Sequence, residues 1–202
     1  GAPGAAEEHL VARALLVGSP LPLPPAQLLW LTLVTNGIQD VALAFEPGLG
    51  DERRSPPRPT RASIFNQLMI ERTLVAAVFM GIVGFGLFQW CLAAGWSVEA
   101  ARNALLILME LFENVHLFHS RSETRSAFLR SPFRNPVLIV GMIAAFSLHL
   151  AMTYLPFGNV LLETQPIDFE MWLWLLALSV PILFVMELHK LSWKLRQKKR
   201  GQ

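Results

Sequence analysis

The chain has 202 residues, of which 53% are hydrophobic and 16% charged, and its mean hydropathy is +0.43. This composition is too apolar for an ordinary soluble domain and indicates a polytopic membrane protein. The single cysteine, Cys91, excludes an internal disulfide, and a net charge of only +2 argues against nucleic-acid binding.

Five segments are long and apolar enough to cross a membrane as α-helices. They are expected at about residues 25–45, 73–94, 100–118, 136–155 and 170–191. The second contains Gly81, Gly84 and Gly86, small residues that permit close helix contact. Residues 1–22 form a weakly ordered opening, because their apolar run is too short to span and prolines follow it. The predicted fold is an all-α polytopic membrane helix bundle whose main domain is residues 23–202.

Lys and Arg are concentrated in three polar stretches of the chain. Five of the 17 lie in residues 47–72, four in residues 120–134 and six in residues 190–200. With five spans these stretches fall on one side, and the positive-inside rule places that side in the cytoplasm. We therefore expect an integral protein of the cell (plasma) membrane with a cytoplasmic carboxyl terminus.

The first span carries polar groups at mid-depth, where such groups are costly and mark a functional site by default. They share one face of an α-helical wheel, and Asn36 lies roughly 16 Å from the outer end. Gly37 sits among them, where a helix can loosen and free backbone carbonyls for a ligand. The alternative is simple interhelical hydrogen bonding. The polar residues are Thr32, Thr35, Asn36, Gln39 and Asp40.

The third span provides the natural partner of this face. Asn103, Glu110 and Asn114 lie within about 40° of one another around the helix, and Glu113 lies about 60° further on. Two intramembrane glutamates this close cannot both stay charged and unpaired, so they need a cation, a proton or a polar neighbour. The alternative is a structural pair that shares a proton.

Oxygen ligands of this kind suit hard cations such as calcium, magnesium, manganese or sodium. A transition-metal cluster built from Glu113, His116 and His119 is disfavoured, because steps of three residues spread ligands around the helix. His149, alone in the fourth span, is interpreted as a packed polar residue. The sequence has no glycine-rich phosphate loop and no hydrolase motif, so we expect no catalytic or nucleotide site in this chain.

The run QLLWLTLVTNG from Gln27 to Gly37, continued by Ala42–Pro47 and Pro56–Pro59, resembles the sixth transmembrane helix and following loop of P-type cation-transporting ATPases. The similarity is to the calcium-pump subgroup, whose usual wording is LLWVNLVTDG with a later PPR. It continues at Ser120–Ser126 and at Pro181, Glu187 and Lys190. The resemblance implies that the five spans are equivalent to the family's sixth to tenth helices, and that the catalytic domains and first helices are missing from this chain.

Carried over by this resemblance, Thr32, Thr35 and Asn36 stand where the family places an Asn, a Thr and an Asp that bind the transported ion. Glu113 stands where its eighth helix places a ligating Glu. Asn36 replaces an acidic ligand, and Asp40, one turn below, is the candidate that restores the charge. The resemblance implies a cation site of Thr32, Thr35, Asn36, Asp40, Glu113 and Glu110, with ATP and magnesium used only in a complete pump. Its partners would be the lipid bilayer and the missing amino-terminal and catalytic parts.

Two other functions stay open. One is a free-standing membrane remnant or a regulatory or binding subunit, which the absence of an adjacent reading frame carrying Asp-Lys-Thr-Gly-Thr would favour. The other is a proton-coupled carrier that uses Glu110 and Glu113 and would take up solute with a pH gradient on its own. Five spans without internal repeat symmetry are unlike the usual carrier plan.

Overall fold

The computed structural model describes residues 2–45, 67–120 and 135–200, and every regular element in these ranges is helical. The all-α prediction is therefore confirmed. The two cytoplasmic loops predicted after the first and third spans lie outside the described residues, except for a few flanking positions. The elements are α1 (Ala2–Val17), α2 (Pro25–Trp30), a π-helical segment (Leu31–Asn36), α3 (Gly37–Ala44), α4 (Gln67–Ala93), α5 (Val98–Ser120), α6 (Pro136–Tyr154), α7 (Pro156–Leu162), α8 (Phe169–Ser179) and α9 (Pro181–Arg200).

Three helices in the described part are long and apolar enough to cross a membrane: α4, α6 and the run Phe169–Lys198 formed by α8 and α9. The first predicted span is present as α2, the π-helical segment and α3, which follow one another without a break. The third is present as α5, which is less apolar because it carries Glu99, Arg102 and two further glutamates. The five helical segments are in place, and membrane crossing by the first and third stays a prediction.

Helix α5 lies at the centre of the bundle. All residues from 103 to 114 are buried, so no face of this stretch reaches the surface. It packs against α4, α8 and α9, and it also contacts α1, α6 and the π-helical segment. Because neighbours surround it, α5 can carry polar side chains that a lipid-facing helix could not. This position accommodates the buried polar residues Asn103, Glu110, Glu113 and Asn114.

Helix α1 occupies residues where the sequence analysis expected only a weakly ordered opening. It packs along α4, and Ala6, Leu10 and Ala14 are fully buried there. A Cβ atom added to Gly81 of α4 would overlap the His9 ring, and one added to Gly84 would lie 3.0 Å from Leu105 Cδ1. The expected close contacts are therefore found at these two glycines. At Gly86 no heavy atom lies within 4 Å of the added Cβ, so this glycine is not needed for packing.

The connections that link α6, α7 and α8 are short and are held in place by hydrogen bonds. Helix α7 forms within the segment expected as the last outer loop, and its Gly158 lies directly against the Met152 carbonyl of α6. The Trp172 indole donates to the Tyr154 hydroxyl at 2.7 Å, and this hydroxyl donates to the Ile167 carbonyl at 3.3 Å. These bonds fix α8 beside the end of α6. After Ser179 the chain continues through Val180 into α9, so the fifth helical run extends to Arg200.

Candidate functional site

The middle of the first helical run is wound as a π-helix from Leu31 to Asn36. A π-helix hydrogen-bonds each residue to the fifth one along, so the α-helical wheel used for the sequence does not apply there. Gly37, at the end of this segment, has ordinary α-helical angles of φ −60° and ψ −45°. The helix was expected to loosen at Gly37, and the departure from α-helical winding is found instead in the preceding residues, Leu31–Asn36. Such π-helical insertions are frequent at functional sites.

The polar face predicted for this run is described only in part. Thr32 is exposed on the surface of the bundle, whereas Leu31 is fully buried. The side chains of Thr35, Asn36, Gln39 and Asp40 lie outside the described part of the structure. Their predicted common face therefore stays a prediction.

The two glutamates of the third span are both buried in α5, with Glu110 at 0% and Glu113 at 2% exposure. The side-chain amide of Asn114 donates to the Glu110 carbonyl at 2.9 Å and to Glu110 Oε1 at 3.2 Å. The predicted shared face of Glu110 and Asn114 is thus confirmed by a direct contact. An ionised carboxylate at this depth is costly unless it is hydrogen-bonded, paired or coordinated to a cation.

Asn103 was expected to share a helix face with Glu110 and Asn114, but its side chain bonds to a different part of the chain. Its amide donates to the Gln165 carbonyl at 2.6 Å, in the connection between α7 and α8. Gln27 of α2 makes a similar bond to the Leu162 carbonyl at 2.6 Å, and Arg102 pairs with Glu163 at 3.3 Å. Asn103 therefore helps to fasten the connection between α7 and α8 to the bundle.

The first and third predicted spans, which were expected to form the site together, are in contact in the structure. The π-helical segment, with Thr32, Thr35 and Asn36, packs against α5 and α6. Helix α3, which carries Asp40, packs against α6, where a Cβ on Gly141 would lie 3.0 Å from Ala42 Cβ. Within the described residues, no group of three or more His, Cys, Asp or Glu side chains could hold a metal ion.

Glu7 is a buried acidic residue that the sequence analysis did not single out. It lies on α1 with 6% exposure, and its Oε1 has no hydrogen-bond partner among the described residues. Helix α1 contacts both α4 and α5. Glu7 precedes the short apolar run Leu10–Val17, and nothing in the local sequence pattern marks it as buried. Glu7 is thus a third buried carboxylate in the bundle.

The histidines do not form a metal centre in the described part. His149 of α6 is fully buried, and its Nδ1 accepts a hydrogen bond from the Trp30 indole at 3.2 Å. This contact confirms the interpretation of His149 as a packed polar residue. His116 is half-buried on α5, and the side chain of His119 lies outside the described residues.

A helical membrane bundle with buried carboxylates in its central helix, beside a π-helical turn, has the features of an ion-transporting membrane domain. The comparison with protein families agrees with this class. The family model described as "Cation transporting ATPase, C-terminus" matches residues 20–192. The chain therefore belongs to the family of carboxyl-terminal membrane regions of cation-transporting P-type ATPases, as the sequence resemblance implied.

Curated relatives are similar over most of the chain. "Probable cation-transporting ATPase F" of Mycobacterium tuberculosis (strain ATCC 25618 / H37Rv) is 33% identical over 190 residues, which cover 94% of this chain and 21% of that protein. "Probable calcium-transporting ATPase" of Trypanosoma brucei brucei is 28% identical, covering 87% of this chain and 22% of that protein. "Calcium-transporting ATPase" of Bacillus subtilis (strain 168) is 28% identical, covering 86% and 19% respectively. The chain thus spans about a fifth of the length of these relatives.

Proposed function

We propose that this chain provides the intramembrane cation-binding site of an ATP-driven cation pump, while ATP hydrolysis takes place in other parts of such a pump. The observation that supports this most is the burial of Glu110 and Glu113 in α5, which packs against the π-helical segment. Buried intramembrane carboxylates mark ion pathways in membrane proteins. The relatives that are named as cation- and calcium-transporting ATPases support the same function.

The proposed ligands divide by role. Glu113 is proposed as the principal carboxylate, because it stands where the resemblance to the family places a ligating Glu, and Glu110 accepts a hydrogen bond from Asn114 within its own helix. In this proposal Glu110 keeps the α5 side of the site in position and contributes negative charge. Thr32, Thr35 and Asn36 provide neutral oxygens from the first helical run, and Asp40 adds a carboxylate there. Glu7 is a further candidate, since α1 packs against α5.

Hard oxygen ligands favour calcium, magnesium, manganese or sodium as the cargo, and a proton is the alternative at the glutamates. In a complete pump, ATP and magnesium would serve the catalytic part and would not bind in this chain. Thr32 lies on the bundle surface, so further helices of such a pump would cover this side of the site. We place the chain in the cell membrane with its carboxyl terminus in the cytoplasm, following the distribution of Lys and Arg.

The proposal is tested in a complete pump that contains this chain. Asn36→Ala and Glu113→Gln are expected to raise the cation concentration that half-maximally stimulates phosphorylation. Glu99→Gln is the matched control, because Glu99 is an exposed acidic residue in the first turn of the same helix. An unchanged ion dependence in both site variants would contradict the site assignment.

A further inference from the structure

A groove of about 440 Å³ runs along an exposed face of α9. One part of its lining is apolar and strongly exposed: Phe184 is 59%, Leu188 65% and Leu191 55% exposed. These residues are four and three positions apart, so they form one stripe along the helix. The other part is polar. The complete lining is Phe184, Glu187, Leu188, Lys190, Leu191 and Lys194.

The polar part of the groove contains two lysines, Lys190 and Lys194. Lys190 is buried and pairs with Glu187 at 3.5 Å, so these two charges largely compensate each other. Lys194 lies one turn further along, is exposed, and lines the same groove. Arg196 points elsewhere, since it pairs with Glu71 of α4 and its guanidinium lies 5.1 Å from the centre of the Trp193 ring. Lys194 is therefore the basic residue that faces a ligand in the groove.

The charged Lys, Arg, Asp and Glu side chains after Glu187 are all basic. After Glu187 the sequence has six Lys or Arg residues and no Asp or Glu as far as Gln202. The apolar run Phe169–Lys198 is long enough to cross a membrane, and it becomes polar over this same stretch. Trp193 lies in this stretch, and tryptophan is enriched at membrane–water interfaces. The groove thus spans the part of this run where the sequence changes from apolar to basic.

We propose that this groove binds an anionic glycerophospholipid of the adjoining leaflet. One acyl chain lies along Phe184, Leu188 and Leu191, and the phosphate accepts a hydrogen bond from the Lys194 ammonium group. The match of charge favours an anionic headgroup, because basic residues beside a membrane helix attract acidic lipids. A zwitterionic lipid offers the same acyl chains without the net negative charge. This site does not depend on the proposed cation-binding function.

The test uses the chain in detergent micelles and native mass spectrometry with two lipids of identical acyl chains, phosphatidylglycerol and phosphatidylcholine. The wild-type chain is expected to bind phosphatidylglycerol more tightly. Lys194→Gln should weaken phosphatidylglycerol binding about fivefold and leave phosphatidylcholine binding unchanged. Lys198→Gln is the matched control, since it removes the same charge on the same helix but does not line the groove.

Two further variants separate the groove from general electrostatic attraction and from a folding defect. Lys194→Arg keeps the charge and should retain most of the preference for phosphatidylglycerol. Leu188→Gln should weaken binding of both lipids, because it disrupts the acyl-chain stripe. Equal losses in Lys194→Gln and Lys198→Gln, or equal binding of the two lipids by the wild-type chain, would overturn the proposal.

Discussion

The side-chain amide of Asn114 donates to both the carbonyl and the Oε1 atom of Glu110, one turn earlier on α5. One carboxylate of the buried glutamate pair is thus held by its own helix. An amide that donates to a buried carboxylate lowers the cost of keeping that group in the bundle interior. We propose a supporting role for Glu110 from this hydrogen bond, and we propose Glu113 as a ligand because the family resemblance places a ligating Glu there.

The first prediction compares the two glutamates in a complete pump. Glu110→Gln keeps an oxygen that can accept the bond from Asn114, so its effect on cation affinity should be only about threefold. Glu113→Gln removes a ligand charge and should raise the half-maximal cation concentration by tenfold or more, as expected for a loss above ~1.4 kcal/mol. Cation titration of phosphoenzyme formation measures both. A larger effect for Glu110→Gln would reverse the assigned roles.

The second prediction concerns the hydrogen bond between Trp30 and His149, which joins α2 to α6. Trp30→Phe keeps the aromatic ring and removes the donor, so it should destabilise the chain by about 0.6 kcal/mol, the average for such bonds between membrane helices. His149→Leu should cost a similar amount, and the double variant should cost less than the sum. Unfolding in detergent, followed by fluorescence and circular dichroism, gives these values. Additive losses would mean that the two side chains do not interact.

The third prediction uses two glycines in different packing environments. Gly158→Ala places a Cβ atom against the Met152 backbone carbonyl, which cannot move without shifting α6. We expect a destabilisation of about 1–3 kcal/mol or more, as for other overpacked sites. Gly86→Ala is the control, because its Cβ atom would meet no heavy atom within 4 Å. It should be neutral or slightly stabilising, since alanine favours a helix interior.

The fourth prediction concerns the ion pairs that fasten α9 to the start of α4. Glu71 accepts a hydrogen bond from Arg196 and lies 3.5 Å from His189 Nε2. Glu71→Gln should lower the thermal midpoint of unfolding by about 1–3 °C, a modest effect because the pair is partly exposed. Exchange of the two charges in Glu71→Arg with Arg196→Glu should recover part of this loss. If the exchanged pair is no more stable than either single variant, the two residues do not act as an ion pair.

Local signals in the sequence predicted some elements closely. Helix α6 begins at Pro136, one residue after Asn135, whose side chain accepts a hydrogen bond from the Leu138 amide. A capping residue followed by proline is a strong helix start, and the expected fourth span, residues 136–155, matches α6 within one residue. The π-helical winding of Leu31–Asn36 has no comparable signal, because the residue pattern is compatible with either winding. Helix α1 depends on α4 for its burial, so a short apolar run alone could not predict its place.

Burial of two of the candidate site residues was predictable from the sequence. The burial of Glu110 and Glu113 followed from their position in an apolar segment, and the structure agrees. The partner of Asn103 could not be predicted, because it lies in a connection more than 60 residues away in the sequence. Glu7 was missed since its burial is produced by tertiary contacts of α1. The hydrogen bond of Asn103 and the burial of Glu7 thus depend on long-range packing, which the local sequence pattern does not reveal.

The measurement that tests the central claim most directly is equilibrium binding of a radioactive cation, calcium or manganese, to a complete pump that contains this chain. We predict that Glu113→Gln loses at least tenfold in affinity or one bound cation per pump, whereas Glu99→Gln binds like the wild type. Correct folding of both variants is checked by their thermal midpoints of unfolding. Wild-type cation binding by a folded Glu113→Gln variant would contradict the proposal that α5 provides the cation site.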